Sequence, residues 1–206
     1  MKAGGILRLF AAVSVGALLS ACGAAEVVWS SDAELAAARY ESSAPPYVAL
    51  LTMVTKRNEM GAHSALLVNG SQVALYDPAG TFQHPKAPER NDVFYGMTPA
   101  MQEVYNYYHA RKSTYVVRQE LPVTREFADR VLARMEAQGP SPKMYCAINT
   151  AEILQSFPEF AHVPRTFQPG GIMAAFGAVP GVKTSRITDS DVGQNIKLVV
   201  VNNDAP

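Results

Sequence analysis

Two stretches, YVALLTMVT at residues 47–55 and HSALLVNGSQVALYD at residues 63–77, carry the strongest structural pattern in the sequence. The first is an apolar run rich in strand-forming residues, which is typical of a strand buried on both faces. The second has two apolar runs that flank Asn69 and Gly70, and Asn-Gly in this position strongly favours a β-hairpin. Turn-forming residues at 77–80 end the second run. Three consecutive strands are therefore predicted at the start of a domain.

Helical patterns dominate the rest of the chain. The predicted elements are a helix at 32–40, a helix that begins at Thr98 with Pro99 in its first turn, a strand at 114–121, a helix at 124–138, a helix at 145–157, a short helix at 170–176 and a strand at 197–202. Residues 82–97 contain prolines and charges without a sustained period, and a surface loop is predicted there. Early strands, central helices and a late strand predict an α+β domain with one mostly antiparallel sheet.

The N-terminus has the three zones of an export signal. Lys2 and Arg8 give it positive charge, and residues 9–19 form an apolar run. A helix that spans a bilayer needs about 20 apolar residues, so the shorter run here is typical of a signal peptide. The sequence LSAC that ends at Cys22 resembles the lipobox of bacterial lipoproteins, whose cysteine is acylated and becomes the mature N-terminus. The alternative is an ordinary cleaved signal peptide with a chance cysteine.

The lipobox resemblance implies a location and a partner. It implies a signal peptide at 1–21, a lipidated tether at 22–46 and a domain at 47–206, held at a membrane by lipid on Cys22. Several acyl chains anchor a protein stably, whereas one anchors it only marginally. Gly23 follows the cysteine where the family's inner-membrane signal has Asp. A lipid-anchored position in the cell envelope is therefore expected, with the outer membrane favoured over the inner.

The charge composition argues against nucleic acid as a partner. The chain has 18 Lys and Arg residues against 18 Asp and Glu residues, and it contains no basic run. Nucleic-acid binding depends on a positively charged surface that neutralises phosphates. We therefore expect no nucleic acid as a partner, and we also expect no cofactor.

Cys146 is the candidate nucleophile. It is the second of two cysteines, so lipid on Cys22 would leave it without a partner in a compartment that oxidises thiols. Pro140 and Pro142 precede a predicted helix that opens near Cys146. Unpaired N–H groups in the first turn of that helix would favour a thiolate and a developing oxyanion. The alternative is a small, buried apolar residue.

The base and its orienting partner are predicted from the hairpin. His63 begins a core strand, which would hold an imidazole rigidly, whereas structural roles are expected for the other histidines, His84, His109 and His162. A three-residue turn over 69–71 would place Asp77 opposite His63, and a two-residue turn would place Tyr76 there. Asp77 is alternatively a turn residue that precedes Pro78.

The order of these residues resembles a known superfamily. A histidine that opens a strand hairpin, a polar residue on the next strand and a later cysteine in YCAINTAEIL, at residues 145–154, resemble the circularly permuted branch of the NlpC-like papain-fold superfamily. That branch includes the lecithin-retinol acyltransferase-like proteins. The resemblance covers about residues 47–180. It implies a permuted papain-like fold with Cys146 as nucleophile, His63 as base and Asp77 as third polar residue.

These residues and the resemblance are compatible with three functions. The resemblance implies a cell-envelope thiol hydrolase that cleaves an amide or ester bond, in a peptidoglycan peptide or an acylated substrate, through an acyl-enzyme on Cys146. The alternative is a non-catalytic, lipid-anchored binding or scaffolding module in which Cys146 is packing. A metal site of His63, Asp77 and His84 is a third idea. No closely spaced ligand pair such as His-Glu-x-x-His occurs, so no metal is expected.

Overall fold

The structure is a computed structural model that describes residues 25–188. Within that range the chain forms a seven-stranded antiparallel sheet and five α-helices, as the α+β prediction required. The strands are β1 (Tyr47–Thr55), β2 (Gly61–Asn69), β3 (Val73–Tyr76), β4 (Glu89–Arg90), β5 (Val93–Phe94), β6 (Thr114–Pro122) and β7 (Lys183–Ile187). The α-helices are α1 (Asp32–Ala38), α2 (Pro99–His109), α3 (Arg125–Glu136), α4 (Cys146–Gln155) and α5 (Pro169–Gly177). A short 3₁₀ turn follows α4 at Pro158–Phe160.

The predicted strand at 47–55 is confirmed as β1, near the centre of the sheet. The strand order is β4-β5-β3-β2-β1-β6-β7, and β1 pairs along its length with β2 and with β6. Side chains alternate between the two faces of a strand. Val48 and Leu50 enter one buried cluster, while Ala49 and Leu51 enter the other. Two faces covered by protein explain why this strand is a continuous apolar run.

Helices cover both faces of the sheet. Buried side chains of α3, α4 and α5 pack with Val48 and Leu50 on one face, and buried side chains of α2 pack with Ala49 and Leu51 on the other. Both α2 and α3 begin where predicted, at N-caps Thr98 and Thr124, whose hydroxyls accept from N–H groups of the first turn. The site described below therefore receives residues from the sheet and from helices on opposite faces.

The hairpin forms, but in a register that neither predicted turn gives. Asn69 pairs with Val73 and Val68 with Ala74, so the loop spans residues 70–72. The turn is held from α3, because Ser71 N–H donates to Asp129 Oδ1 at 2.6 Å and Arg125 donates to the Gly70 carbonyl at 2.5 Å. These tertiary contacts move the turn one residue beyond the position that the Asn-Gly pair favours.

The predicted surface loop at 82–97 is wrong in part. It contains the short hairpin of β4 and β5, whose β5 extends the sheet beyond β3. Asn91 and Asp92 form its two-residue turn with φ angles of 46° and 69°, which is the conformation that a tight hairpin requires. Strands of two residues are too short to show an alternating pattern, so they have no periodic signal in the sequence.

The two ends of the described range add structure around the sheet. The part of the predicted tether that is described packs on the domain: Trp29 bridges to Arg90, and Val73 N–H donates to the Tyr40 carbonyl. Strand β7, which was not predicted, is an additional edge strand of the sheet and pairs with β6. The predicted strand at 197–202, the signal peptide and Cys22 lie outside the described residues. In residues 25–188, no helix has both the length and the apolar composition needed to cross a bilayer.

Candidate active site

His63 and Asp77 meet at the open end of the β2–β3 hairpin. The last residue pair between these strands is Leu66 with Tyr76, and the same register extended by one residue places Asp77 opposite Ala65 and not opposite His63. Ala65 and His63 are two residues apart and share a face of the sheet. The two side chains are therefore diagonal neighbours, and His63 Nε2 lies 2.5 Å from Asp77 Oδ1. The predicted direct pairing is wrong, yet the predicted contact forms.

Asp77 is a fully buried carboxylate with two donors on one oxygen. Its side chain is 0% exposed, and Oδ1 also accepts a hydrogen bond from Tyr105 Oη at 2.8 Å. Burial alone would raise the pKa of Asp77, but the charge and hydrogen bond of His63, the nearby His109 and the hydrogen bond from Tyr105 lower it overall. Asp77 is therefore ionised at neutral pH and stabilises a positive charge on His63.

Cys146 is the first residue of α4, as predicted, and is 8% exposed. No side chain caps this helix, so the N–H groups of its first turn remain available. Burial alone would raise the pKa of the thiol. Hydrogen bonding and charge from His63 outweigh burial, and the backbone N–H groups of Ser64 and Ala147 add to the effect, so the pKa of Cys146 is lowered.

His63 therefore lies between a thiol and a carboxylate. Burial opposes the imidazolium form, but the charge and hydrogen bond of Asp77 and the neighbouring Cys146 raise the pKa of His63 to about 10. Because Nε2 bonds to Asp77, Nδ1 is the ring nitrogen left for Cys146. A thiolate beside an imidazolium is the reactive form of a cysteine nucleophile. The structure brings all three predicted site residues, Cys146, His63 and Asp77, together.

A buried polar network holds the segment that leads into Cys146. Ser141 Oγ is bonded to Tyr76 Oη at 3.0 Å and accepts from Asn149 Nδ2 at 2.7 Å. Ser141 N–H donates to Asp92 Oδ2 at 2.8 Å. These bonds tie the chain before α4 to β3, to the β4–β5 turn and to α4 itself. The position of the sulfur relative to the sheet is therefore fixed by satisfied hydrogen bonds.

Tyr105 and His109 are site residues that the sequence analysis missed. They lie one helical turn apart on α2, and both are buried. Besides the bond from Tyr105 to Asp77, the His109 ring stacks on the His63 ring with centroids 5.5 Å apart and planes inclined by 21°. Burial lowers the pKa of His109 to about 4. The spacing of these residues on a predicted helix was visible, but nothing in the sequence places that helix over the hairpin.

The metal set proposed from the sequence is corrected by the structure. His84 stacks on Phe82 and accepts from the Lys86 N–H group, so it does not join His63 and Asp77. His109 takes its place: ligand atoms of His63, Asp77 and His109 all lie within 4.8 Å of one another. The structural role expected for His109 is thus replaced by a position beside the candidate base.

Exposed apolar side chains and a cleft border the site. Met144 and Phe167 are apolar side chains that are 79% and 58% exposed, and Phe167 contacts the ring of Tyr145, the residue before Cys146. On the Asp77 side lies a cleft of about 480 Å³ whose lining includes the acidic residues Glu26, Glu89 and Asp92 together with Met144. The cleft beside Asp77 is therefore lined by both acidic and apolar side chains.

Fold and site together define an α+β protein with a cysteine, a histidine and an aspartate in contact where a helix begins beside a sheet. No protein-family model matches the sequence, and comparison with curated proteins and with solved structures finds no significant match. The functional proposal therefore depends on the geometry of the described residues.

Proposed function

We propose that this protein is a cell-envelope thiol hydrolase that cleaves an amide or ester bond, with Cys146 as nucleophile, His63 as general acid and base, and Asp77 as the residue that orients His63. The single observation that supports this most is the position of His63, which bonds to the buried Asp77 carboxylate and lies near enough to Cys146 to lower the pKa of its thiol. Its fold is proposed to be a permuted form of the papain-like fold.

In the first half of the reaction, the Cys146 thiolate adds to the carbonyl carbon of the substrate. The oxyanion that forms lies beside the uncapped first turn of α4, whose N–H groups donate to it. His63 Nδ1–H then gives its proton to the leaving amine or alkoxide as the bond to the carbonyl carbon breaks. The products are a free amine or alcohol and a thioester on Cys146.

In the second half, water hydrolyses the thioester. Neutral His63 takes a proton from the water as its oxygen adds to the thioester carbon, and the thiolate leaves when the intermediate collapses. The carboxylic acid product departs, and the thiolate–imidazolium pair is restored. Throughout the cycle Asp77 holds the His63 ring in place and stabilises its positive charge.

The substrate class is proposed as an amide or ester in the envelope, either a peptidoglycan peptide or an acylated molecule. Lipid on Cys22 would hold the domain at a membrane, with the outer membrane favoured. The described chain starts at residue 25, and Glu26 and Val28 line the cleft that also includes Asp77. A chain anchored at Cys22 would therefore keep the site within a few residues' length of the lipid surface.

Alkylation and turnover test the proposal together. The mature full-length protein is treated with iodoacetamide, and peptide mapping follows modification of Cys146. We expect Cys146 to react at least about tenfold faster than free cysteine at pH 7, since its pKa is lowered. Hydrolysis of a panel of amide and ester substrates should be lost in Cys146→Ser, with Ser156→Ala as an exposed control.

The non-catalytic alternative predicts the opposite results. If Cys146 were a packing residue, it would react more slowly than free cysteine in the folded protein. Cys146→Ala would then restore the phenotype of a deletion strain as well as the unchanged protein does. Either result would overturn the hydrolase proposal and leave a lipid-anchored binding module.

A further inference from the structure

Two buried polar atoms next to the candidate base have no hydrogen-bond partner. Within residues 25–188, these unpartnered atoms include His109 Nε2 and Asp77 Oδ2. Both side chains are more than nine-tenths buried, as His109 is 6% and Asp77 is 1% exposed. Buried polar groups are nearly always satisfied in native proteins. An unsatisfied imidazole nitrogen and an unsatisfied carboxylate oxygen at one site therefore indicate a missing partner.

The chemistry of this group of atoms fits a transition-metal ion. Two imidazoles and one carboxylate form a common donor set for Zn²⁺, which is bound through nitrogen at about 2.0–2.1 Å and keeps a fourth position open in non-structural sites. A divalent cation would also offset the negative charge of Asp77.

The spacing is close to that of a loaded site. Ligand atoms of His63, Asp77 and His109 lie within 4.8 Å of one another. Nitrogens that share a tetrahedral zinc ion lie about 3.4 Å apart, given the usual Zn–N distance. The rings of His63 and His109 stack with planes inclined by 21°. Because an ion lies in the plane of each imidazole that binds it, one ring must rotate out of this stack for both nitrogens to bind the same ion.

Each ligand comes from a different, well-packed element. His63 lies on β2, Asp77 follows the last residue of β3, and His109 ends α2. Ligands on rigid elements keep their backbone spacing without an ion, so binding requires rotation of side chains and no movement of the backbone. The His63 side chain is 12% exposed and gives the ion a route from solvent.

We propose that His63, Asp77 and His109 bind a divalent transition-metal ion, with Zn²⁺ as the best fit, and that the ion inhibits the hydrolase. The inhibitory part rests on the proposed function. An ion on His63 Nε2 and on the Asp77 carboxylate replaces the hydrogen bond that joins them and releases its proton to solvent. His63 then carries a metal at Nε2, where catalysis needs Asp77 as the orienting partner, and the bound metal opposes formation of the imidazolium.

Zinc binding is measured first, on the purified full chain and with Zn²⁺ alone. Equilibrium dialysis should give one ion per chain, and His109→Gln should weaken binding at least tenfold. Two variants are expected to bind as the unchanged protein does: His84→Gln, which tests the set proposed from the sequence, and Cys146→Ala, which removes the neighbouring thiol. Absence of binding, or equal binding by His109→Gln, overturns the site.

A spectroscopic measurement keeps the test independent of how well the variants fold. Co²⁺ bound to the unchanged protein should give the visible bands of nitrogen and oxygen ligands. A strong thiolate charge-transfer band would show that Cys146 is a ligand and would overturn the proposed set. A melting temperature of metal-free His109→Gln close to that of the metal-free unchanged protein shows that the loss of zinc binding is a local effect.

Inhibition is measured last, on whichever substrate the unchanged protein hydrolyses. Zn²⁺ should reduce turnover in the unchanged protein and in His84→Gln at the concentration at which it binds, and a chelator should restore it. Residual turnover of His109→Gln should require at least tenfold more Zn²⁺ for the same fractional loss. If the protein binds zinc but hydrolyses no substrate, the proposed hydrolase function is refuted and the metal site is not. If the protein is active and zinc inhibits the unchanged protein and His109→Gln equally, the metal site is refuted and the hydrolase function is not.

Discussion

His63 Nε2 and Asp77 Oδ1 are bonded across the diagonal of the β2–β3 hairpin, one step beyond its last residue pair, Leu66 with Tyr76. A direct cross-strand pair would place the carboxylate beside the imidazole on the ladder. The diagonal contact uses His63 Nε2, so Nδ1 is the ring nitrogen left for Cys146 at the start of α4.

Removing the charge of Asp77 while keeping its shape tests that relationship. Asp77→Asn takes away the carboxylate that raises the pKa of His63. The imidazolium form is then lost at lower pH, so the alkaline limit of the pH–activity profile should move down. We expect kcat/KM to fall by about 100-fold, because general acid and base catalysis contributes on that order. Steady-state rates are measured from pH 5 to 10 in buffers that contain EDTA.

Tyr105→Phe is the matched control for Asp77→Asn. It removes one neutral donor from the same carboxylate oxygen and leaves the charge in place. Its kcat/KM should fall by less than about tenfold. A single hydrogen bond to a charged group contributes about 1.5–3 kcal/mol, and only part of that free energy affects the interaction between Asp77 and His63. Equal losses in the two variants would mean that the charge of Asp77 has no special role.

Gly80 should be required for the site although it contacts no substrate. A Cβ atom built on Gly80 would overlap the Asp77 carboxylate, which has no free space because it is fully buried. Gly80→Ala must therefore move Asp77 away from His63 and Tyr105. We expect loss of most turnover in a protein that still folds, as measured by activity and circular dichroism.

Gly170→Ala is the control for steric effects of an added methyl group. Its Cβ atom would have Gly61 N at 3.8 Å as its nearest neighbour, which is ordinary contact distance. Activity and melting temperature should stay close to those of the unchanged protein. Full activity of Gly80→Ala would contradict the proposed role of Asp77.

Ser141 should contribute to stability through the buried network ahead of Cys146. Ser141→Ala leaves Tyr76 Oη and Asn149 Nδ2 without their shared partner. An unsatisfied buried polar group costs about 1–3 kcal/mol, so the free energy of unfolding should fall by about 2–3 kcal/mol in denaturant titrations. Ser156→Ala, at an exposed serine, should change it by less than about 0.5 kcal/mol. Equal effects would show that the network does not stabilise the fold.

The fold was predictable from the sequence where its signals were local and strong. The apolar run at 47–55 gave β1 with its observed ends, and the caps Thr98 and Thr124 gave the starts of α2 and α3. The β2–β3 register was not predictable, because contacts from Arg125 and Asp129 on a distant helix set the turn. Strand β7 is polar and exposed, so it has no apolar pattern that would indicate a strand.

The candidate site was predictable to the same extent. Cys146 was located by its place at the start of a helix, and His63 by its place on a core strand. Tyr105 and His109 were missed, because their contacts with Asp77 and His63 depend on α2 crossing the hairpin face. That crossing brings together Asp77 and Tyr105, which are 28 positions apart in the sequence. The spacing of residues within α2 alone does not predict such a contact.

The pH dependence of Cys146 alkylation isolates the effect of His63 on the thiol. His63 lowers the pKa of Cys146 below that of an ordinary cysteine thiol, so thiolate is present, and alkylation proceeds, at lower pH than for free cysteine. His63→Gln removes the positive charge, while burial, which raises the pKa, remains. The midpoint of alkylation should therefore move to higher pH in His63→Gln and stay unchanged in His162→Gln, whose ring instead bonds to the Ala175 carbonyl. Rates are measured by mass spectrometry in EDTA-containing buffers. If the midpoint of alkylation were the same with and without His63, His63 would not activate Cys146, and the hydrolase proposal would be contradicted.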